Sequence, residues 1–282
     1  MSPQVVQAIW AVVWLLVAGA LSGLIIGVVV KVFGAEPDPR LEEVEGLLPG
    51  ANCGACGYAG CAAFAAALVS GKAKDPGVCP SSNPAAVARI CAVLGLTASE
   101  RQPKVAVVMC GGDRDHAQDA ALYNGVADCK DAMMVAGGAK GCRYGCLGLA
   151  TCARACPFQA IEITPTGIAL VHPERCTGCG KCVASCPRQL IRLVPRRATV
   201  HVLCSSPAKG PVKRAVCQRA CIACRKCVKA AGEEHMSMKG FLAVVNYNDP
   251  PPDSVAAECP TGCLVAAGGG ARTDAEAEVA HA

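Results

Sequence analysis

The chain has 282 residues and 22 cysteines, but only 4 Phe, 4 Tyr and 2 Trp with which to build an apolar core. Its formal net charge of +5 comes without a basic run interleaved with aromatic residues, which excludes the usual nucleic-acid-binding proteins. The sequence contains no phosphate-binding glycine loop and no nucleophile elbow, and its histidines are scattered, so we expect no independent catalytic site.

The first predicted element is a membrane-spanning helix. Residues Val5 to Val30 form a run of 26 residues without a charge, long enough to cross a hydrocarbon core of about 30 Å. A cleaved signal peptide is the alternative, but the segment lacks a basic start and its apolar run is too long. Because Lys31 and Arg40 follow the run and no basic residue precedes it, the positive-inside rule places the C-terminal part in the cytoplasm.

Small residues recur along this span at Gly19, Gly23 and Gly27, and such a stripe lets a second helix approach closely. The stripe predicts packing against another membrane subunit, although glycine is also simply frequent in membrane helices. Since the cytoplasm is reducing, we expect the cysteines that follow to be metal ligands rather than disulfide partners.

The predicted fold class is α+β, with three kinds of region. Residues 1–33 form the transmembrane anchor, residues 34–102 a small and mostly helical cluster domain that starts with a stiff linker at 34–40, and residues 103–199 a ferredoxin-like two-cluster unit. Residues 200–267 form a second, degenerate ferredoxin-like unit, and residues 268–282 a disordered tail. Apolar runs at 105–109, 201–203 and 241–245 predict strands, and stretches 62–69 and 85–95 predict helices.

Two internal repeats indicate the tandem arrangement. Cys156-Pro-Phe-Gln-Ala-Ile matches Cys186-Pro-Arg-Gln-Leu-Ile, which is the two-fold pattern inside one ferredoxin-like unit. A larger repeat relates the two units by spacing: Cys129-x12-Cys142-x3-Cys146 matches Cys204-x12-Cys217-x3-Cys221.

The helical domain contains the first predicted cluster site, with the spacing Cys-x2-Cys-x4-Cys-x17-Cys-Pro. Its ligands are Cys53, Cys56, Cys61 and Cys79. Glycines at 54, 57 and 60 allow the backbone to close around a cluster. A zinc site is the alternative, because four cysteines with one long gap also bind zinc. Cys91 lies in an apolar helical stretch and is expected to be a buried structural thiol.

The strongest motif is the run from Cys176 to Pro187, Cys-x2-Cys-x2-Cys-x3-Cys-Pro, in which the fourth cysteine ligates the neighbouring cluster. The partner half lacks its middle cysteine, since Leu149 stands there, and we expect Cys142 to replace it. If Cys142 did not bind the cluster, that cluster would be a labile three-iron centre. The second predicted cluster is held by Cys142, Cys146, Cys152 and Cys186, and the third by Cys156, Cys176, Cys179 and Cys182. Zinc is disfavoured here because zinc ribbons use two separated Cys-x2-Cys pairs.

The second unit retains one predicted cluster, because Ala231 stands where the crossing cysteine would be. Its ligands are Cys221, Cys224, Cys227 and Cys259, with Cys217 and Cys263 as alternatives. Cys110, Cys129, Cys204 and Cys217 are interpreted as buried structural thiols that could instead complete a further cluster. The sequence therefore predicts at least three [4Fe-4S] clusters, and we expect four.

Two strings are specific enough to indicate a family: Asn52-Cys-Gly-Ala-Cys-Gly-Tyr-x-Gly-Cys61 and Lys140-Gly-Cys-x-Tyr-Gly-Cys-Leu-Gly-Leu149. With the N-terminal span and the Cys-Pro halves, the chain resembles the B subunit of the Rnf/Rsx-type ion-translocating electron transport complex, in a longer form with an extra ferredoxin-like unit. The resemblance implies an electron-transfer subunit of a translocase that exchanges electrons with soluble ferredoxin and a nicotinamide-reducing subunit, coupled to Na⁺ or H⁺ transport.

From this resemblance we expect a single-pass protein of the cytoplasmic membrane with its cluster domains on the cytoplasmic side. Its partners would be the other membrane subunits and soluble ferredoxin, and not nucleic acid. Ion transport is expected in the partner subunits, because the span carries no ionisable residue. Two alternatives are a free-standing ferredoxin-dependent reductase, which needs a substrate site, and a structural zinc protein without redox activity.

Overall fold

This computed structural model describes residues 3–33 and 38–266. The described residues divide into two compact units, one that ends at Glu43 and one that begins at Val44. Residues 34–37 of the predicted linker and the whole of the predicted tail at 268–282 lie outside the described residues.

The N-terminal unit is dominated by one long helix, α1 (Pro3–Phe33). Within it, Ile9–Lys31 is a stretch of 23 residues with a mean hydropathy of 2.5, and none of it is buried. At a rise of 1.5 Å per residue this stretch is about 35 Å long, which exceeds the thickness of a hydrocarbon core. By length and composition, the predicted membrane-spanning helix is therefore present.

The next part of the chain is helical, as predicted. It contains α2 (Pro39–Leu47), α3 (Cys61–Val69), a 3-10 turn at Pro76–Val78 and α4 (Pro84–Leu94). The side chains of Val44, Phe64 and Ile90 are almost fully buried and form the apolar centre of this part. α4 begins where the Asn83 side chain accepts a hydrogen bond from the amide of Ala85, and it ends at Gly95, which adopts the left-handed conformation.

Two β-containing units follow in the same order of elements. The first contains β1 (Lys104–Val108), α5 (Cys129–Met134), α6 (Thr151–Arg154), β2 (Ile161–Ile163), β3 (Ala169–Val171), α7 (Lys181–Ser185) and β4 (Ile191–Pro195). The second contains β5 (Val200–Val202), α8 (Gly210–Val216), α9 (Lys226–Ala231), β6 (Met236–Lys239), β7 (Leu242–Val245), a 3-10 turn at Asp253–Glu258 and β8 (Leu264–Ala266).

Strand pairing shows that the two units are built alike. In the first unit β1 pairs with β4 and β2 with β3, and in the second β5 pairs with β8 and β6 with β7, all antiparallel. In each unit the first strand pairs with the last, and the two strands between them in sequence form a hairpin. The predicted α+β class and the three predicted strands are confirmed, the strands to within one residue at each start.

Cysteines form part of both cores. The core of the first unit contains Cys152, Cys176 and Cys182 among its buried residues, and that of the second contains Cys221, Cys227 and Cys263. Tyr247 packs against both cores, and burial raises the pKa of its hydroxyl to about 12. The strands contain only three to five residues, and the cysteines pack among aliphatic residues of those strands.

One glycine contact gives a testable consequence for stability. Gly148 has a φ of +71°, and a Cβ atom there would overlap the carbonyl oxygen of Gly167. Gly95 has a similar φ of +65° but nothing within 4 Å of such an atom. We expect Gly148→Ala to destabilise the protein by roughly 2–4 kcal/mol and Gly95→Ala by roughly 1–2 kcal/mol, because only the first adds a steric overlap to the strained φ.

The measurement is the free energy of unfolding by denaturant under anaerobic conditions, for the unaltered protein and both variants. Equal losses in the two variants would contradict a role for the Gly148 to Gly167 contact.

Candidate iron–sulfur cluster sites

Of the 22 cysteines of the second compact unit, 20 are assigned to five groups of four, which we call sites I to V, and Cys91 and Cys263 belong to none of them. Site I, which is grouped by its sequence spacing, is Cys53, Cys56, Cys61 and Cys79. The other four groups each line one cavity: site II is Cys129, Cys146, Cys152 and Cys186, site III is Cys156, Cys176, Cys179 and Cys182, site IV is Cys221, Cys224, Cys227 and Cys259, and site V is Cys110, Cys142, Cys204 and Cys217. All of these cysteines are free thiols.

Site I lies in the loop between α2 and α3 and in the turn that precedes α4. The Asn52 side chain, in a residue with a φ of +45°, accepts a hydrogen bond of 2.8 Å from the amide of Cys61, which folds the loop back on itself. The Cys53 thiol lies 3.9 Å from the Ser81 hydroxyl, so this loop meets the segment that follows Cys79. The four cysteines are those predicted from the sequence, and their role as ligands remains a prediction.

Site III has the arrangement expected from its local motif. Its four thiols line a cavity of about 300 Å³ together with Ala106 and Ile161. Three of them come from the loop before α7 and its first turn, and Cys156 comes from the segment that follows α6. The backbone amide of Ala106 on β1 lies 3.4 Å from the Cys176 sulfur, so the strand also faces the site.

Site II differs from the prediction in one thiol. Cys146, Cys152 and Cys186 line a cavity of about 360 Å³ as expected, but the fourth thiol is Cys129 and not Cys142. Cys129 is the first residue of α5, and its amide lies 2.7 Å from the Thr151 hydroxyl on α6. That hydroxyl donates to Asp128, and Arg154 donates to the same carboxylate, so α5 is fixed beside the helix that carries Cys152.

Cys142 lies elsewhere because its segment pairs with a different part of the chain. The amide of Gly141 donates to the carbonyl of Gln118 at 2.9 Å, and Lys140 forms a β-bridge with Asp119. This pairing directs Cys142 into the cavity of site V, which has a volume of about 380 Å³. In the structure, therefore, Cys142 does not take the place of the cysteine that is missing at Leu149.

Site IV is formed by the predicted four cysteines around a cavity of about 300 Å³. Cys224 is exposed, whereas Cys221 and Cys227 are buried. By its position before the inner hairpin, and by the return of Cys259 from the end of the unit, site IV corresponds to site II in the first unit. Neither suggested alternative ligand lines this cavity: Cys217 lines that of site V, and the buried Cys263 hydrogen-bonds to Cys204 and Cys221.

The thiols surround cavities instead of converging on one point. Among residues 3–33 and 38–266, no three Cys, His, Asp or Glu side chains are grouped tightly enough to hold a single metal ion. Each of these spaces of 300 to 380 Å³ is partly open to solvent and is lined by four thiols. A wall of four thiols around such a space fits a multi-iron cluster, whose irons each bind one thiolate.

Protonation of the thiols depends on where each lies. Burial raises the pKa of Cys152 and of Cys182 to about 12, and that of Cys217 to about 11. Hydrogen bonding with the Cys263 thiol, whose single proton can bind one neighbour at a time, lowers the pKa of Cys204 to about 6 and that of Cys221 to about 5. Without iron most of these buried ligands are neutral thiols, so binding iron requires the release of their protons.

The partly buried Arg188 lines the cavity of site II. It follows Cys186 and Pro187, and its guanidinium donates hydrogen bonds to the carbonyls of Cys142, Gly145 and Gly137. Burial lowers the pKa of this guanidinium, and the neighbouring thiols oppose that shift by favouring the charged form.

We expect Arg188→Gln to lower the reduction potential of the nearest cluster by roughly 50–100 mV, because a positive charge that stabilises the added electron is lost. The measurement is a potentiometric titration followed by EPR. Arg192→Gln is the matched control, since Arg192 is exposed on β4 and solvent screens its charge. A shift that is no larger for Arg188→Gln than for the control would contradict this electrostatic role.

Sequence reasoning missed Cys129 as part of site II, although one signal was present. Asp128 directly before Cys129 is a typical helix N-cap, which predicts that Cys129 begins a helix. The spacing repeat pairs Cys129 with Cys204 and Cys142 with Cys217. The repeat could not show that Cys129 and Cys142 belong to different sites, because that depends on the pairing of distant segments.

Two protein-family models match the chain within these sites. A model described as "Putative Fe-S cluster" matches residues 48–81, which contain site I. A model described as "4Fe-4S dicluster domain" matches residues 140–190, which contain site III and three of the four cysteines of site II. Cys129 and site IV lie outside both matched ranges.

Three curated relatives cover most of the chain. It is 41% identical over 228 residues to the B subunit of the ion-translocating oxidoreductase complex of Methanosarcina acetivorans, which is 81% of this chain and 86% of that protein. It is 36% identical over 253 residues to the B subunit of the proton-translocating ferredoxin:NAD(+) oxidoreductase complex of Clostridium ljungdahlii, or 89% of each.

It is also 40% identical over 205 residues to the B subunit of the Na(+)-translocating ferredoxin:NAD(+) oxidoreductase complex of Acetobacterium woodii. That match covers 73% of this chain and 61% of the relative, so the chain spans less than two thirds of the length of that protein.

Proposed function

Since the chain belongs to the family of B subunits of ion-translocating oxidoreductase complexes, we propose that its cysteine sites carry electrons between soluble ferredoxin and the other subunits. It is an iron–sulfur electron-transfer subunit with [4Fe-4S] clusters. We assign ferredoxin as the soluble electron donor or acceptor and NAD as the electron donor or acceptor at the other end of the complex. We assign one cluster to each of sites I to IV.

The observation that carries the proposal is that neighbouring sites adjoin one another through their cysteines or through residues next to them. The thiol of Cys152 in site II lies within electrostatic range of Cys182 in site III. On the other side of site III, the Thr177 hydroxyl accepts a hydrogen bond of 3.1 Å from Ser81, which also contacts Cys53 of site I. Sites II, III and I therefore form a continuous series.

Each bound [4Fe-4S] cluster would supply reversible one-electron exchange at its site. The chain contributes the ligands, the spacing between sites and the exclusion of water. Buried valines and isoleucines such as Val108, Ile161 and Ile191 lie around sites II and III, and backbone amides face the sulfurs of Cys156, Cys176 and Cys186. Amide hydrogen bonds to ligand sulfurs stabilise the reduced, more negative cluster.

A docking face for ferredoxin is proposed at site IV. Cys224 is exposed there, and so are Arg225, directly before α9, and Lys226 and Lys229 on that helix. Such a basic rim around an accessible cluster ligand is complementary to an acidic protein of the ferredoxin type. We place this face, and all cluster sites, on the cytoplasmic side of the membrane, because Lys31 and Arg40 follow α1.

Ion transport is assigned to the partner subunits. α1 carries no ionisable residue between Pro3 and Val30, so it offers no charged side chain to an ion within the membrane. The exposed apolar surface of α1 would instead contact lipid and those partner subunits.

The test uses the full-length protein, purified anaerobically in detergent. We expect about 16 irons and as much inorganic sulfide from sites I to IV alone, and bleaching of the visible absorbance when reduced ferredoxin is added. Lys226→Glu combined with Lys229→Glu should slow that reduction and weaken its salt dependence, while the iron content stays unchanged. A colourless protein that contains zinc, or clusters that reduced ferredoxin does not reduce, would contradict the proposal.

A further inference from the structure

Site V is made by four cysteines from four separate segments. Cys110 follows β1, Cys142 lies in the loop before α6, Cys204 follows β5 and Cys217 follows α8. Their thiols line one cavity of about 380 Å³. Neither family-model match includes Cys110, Cys204 or Cys217.

The backbone holds these four segments against one another. The ends of β1 and β5 are tied by the amide of Gly111, which donates to the carbonyl of Leu203 at 2.9 Å. The Ser205 hydroxyl donates to the carbonyl of Met109 at 2.9 Å and adds a second link between the same ends. Cys110 and Cys204 are therefore fixed on one side of the cavity, one from each ferredoxin-like unit.

Cys142 and Cys217 are placed by a ribbon of residues 116–121, which lies between them. On one edge the ribbon pairs with residues 139–141, through the bond from Gly141 to Gln118. On the other edge the amide of Gln118 donates to Val216 at 3.0 Å, the amide of Gln218 donates to His116 at 2.7 Å, and Ala117 forms a β-bridge with Cys217. The ribbon brings two cysteines that are 75 positions apart in sequence to the same cavity.

Glycine allows the backbone to approach the thiols closely. A Cβ atom on Gly112 would lie 3.0 Å from the sulfur of Cys217 and 3.9 Å from that of Cys110. Any side chain here would press against one thiol and fill the space beside another. The backbone thus keeps the region between the sulfurs open.

Two buried lysines also line this cavity. Lys213 is 2% exposed and its ammonium donates to the carbonyls of Ser206 and Phe241, while Lys140 is 7% exposed and lies within electrostatic range of Cys110 and Cys142. Within the part of the chain that the structure describes, no carboxylate forms an ion pair with either lysine. A buried ammonium is costly without an anion nearby, and a cluster with four thiolates carries a charge of about −2.

From these observations we propose that Cys110, Cys142, Cys204 and Cys217 bind a fifth [4Fe-4S] cluster. Each of the four thiols would release one proton and bind one iron of a core assembled from iron and inorganic sulfide. Lys140 and Lys213 would balance the negative charge of the cluster.

The position of site V makes it the connection between the two ferredoxin-like units. The amide of Cys146 in site II lies 3.3 Å from the Cys110 sulfur. On the opposite side, Cys263 hydrogen-bonds to Cys204 of site V and to Cys221 of site IV. The sites then follow the order IV, V, II, III and I. This role as a connection rests on the proposed function, whereas the presence of the cluster does not.

The experiment counts iron and sulfide per chain in full-length protein purified anaerobically, and records Mössbauer and EPR spectra. We expect about 20 irons, four more than sites I to IV provide. Cys204→Ala should remove about four irons, and adding Cys142→Ala should remove no more, because both cysteines would belong to one cluster. Cys142→Ala combined with Cys129→Ala should remove about eight, because these cysteines would belong to different clusters.

Cys91→Ala is the matched control, since Cys91 lies on α4 outside the five sites, and it should leave the iron content unchanged. About 16 irons in the unaltered protein, with none lost in Cys204→Ala, would overturn the proposal. So would a zinc ion in the unaltered protein that is lost in Cys204→Ala, because site V would then bind zinc. So would a loss of only four irons when Cys129 and Cys142 are replaced together. In each case normal reduction of the remaining clusters by ferredoxin would leave the proposed function intact. The count in the unaltered protein decides the matter even if a variant fails to fold.

Discussion

Removal of iron unfolds residues 44–266 and leaves α1 helical: this is the result we expect when a chelator is added to the anaerobic, reduced protein. The β-strands contain three to five residues, and buried cysteines make up part of both cores. When the thiols lose their iron, the short strands and loops lose the centres that hold them together. Binding of metal to such a small domain is therefore a large part of its folding free energy.

The measurement is far-UV circular dichroism during heating, before and after chelation. We expect the cooperative thermal transition of the iron-loaded protein to disappear, while the helical signal of the 31 residues of α1 remains because its hydrogen bonds are internal. Reconstitution with iron and sulfide should restore the transition. An iron-free protein that still melts cooperatively near the original temperature would contradict the prediction.

The same prediction has a pH dependence with a definite sign. Since the pKa of Cys152 and of Cys182 is raised to about 12 by burial, each thiolate that loses its iron takes up a proton at any pH below that value. Lower pH therefore favours iron release, by up to about tenfold per pH unit for each thiolate released. Cluster loss should be faster at pH 6 than at pH 8, and a rate independent of pH would contradict proton uptake at the thiols.

The elements that sequence analysis predicted well are those whose information is local. The run from Cys176 to Pro187 places three cysteines in one loop and its helical turn, so spacing alone predicts that they line one cavity. The helix at residues 85–95 was predicted from its apolar pattern, and the structure begins it after Asn83 and Pro84 and ends it before Gly95. For these segments the local sequence pattern is enough to predict the structure, and contacts with distant parts of the chain change it little.

Prediction failed where two distant segments compete for the same place. Cys142 lies one helical turn before Cys146, which made it the nearest candidate to replace the cysteine missing at Leu149. The structure instead pairs Gly141 with Gln118, and it holds Cys129 beside Thr151. No spacing rule could predict this exchange, because it depends on the ribbon at residues 116–121, which has no strong pattern of its own.

The degenerate second unit shows how a site can be lost while its fold is kept. Ala231 stands where the first unit has Cys156, and the hairpin of β6 and β7 is followed by Cys259 and Cys263 in place of four closely spaced cysteines. The pairing of β5 with β8 and of β6 with β7 is nevertheless that of the first unit. A counterpart of site III is thus missing from the second unit, and site IV is one end of the series that we propose.

Cys179→Ala is expected to interrupt the series at site III and to have the largest effect on electron transfer. Site III adjoins site II through Cys182 and Cys152, and it adjoins site I through Thr177 and Ser81. We choose Cys179 because it is only partly buried, whereas Cys176 and Cys182 belong to the core of the first unit. Its replacement should therefore disturb the cluster more than the fold.

In the assembled complex we expect ferredoxin-dependent reduction of NAD to fall at least about 100-fold, which corresponds to a barrier higher by at least ~2.7 kcal/mol. In single-turnover experiments with reduced ferredoxin, the clusters of sites IV and II should still be reduced in the variant, and that of site I should stay oxidised. Cys91→Ala, which removes a thiol outside the sites, should leave both measurements unchanged.

The two readouts separate a break in the series from general damage. If Cys179→Ala abolished reduction at every site, the variant would have lost its docking face or its fold, and the iron count would show which. If site I were reduced as fast as in the unaltered protein while one cluster was missing, electrons would reach it by a path that avoids site III. That outcome would contradict the order IV, V, II, III and I, because the contacts through Thr177 and Ser81 would then carry no electrons.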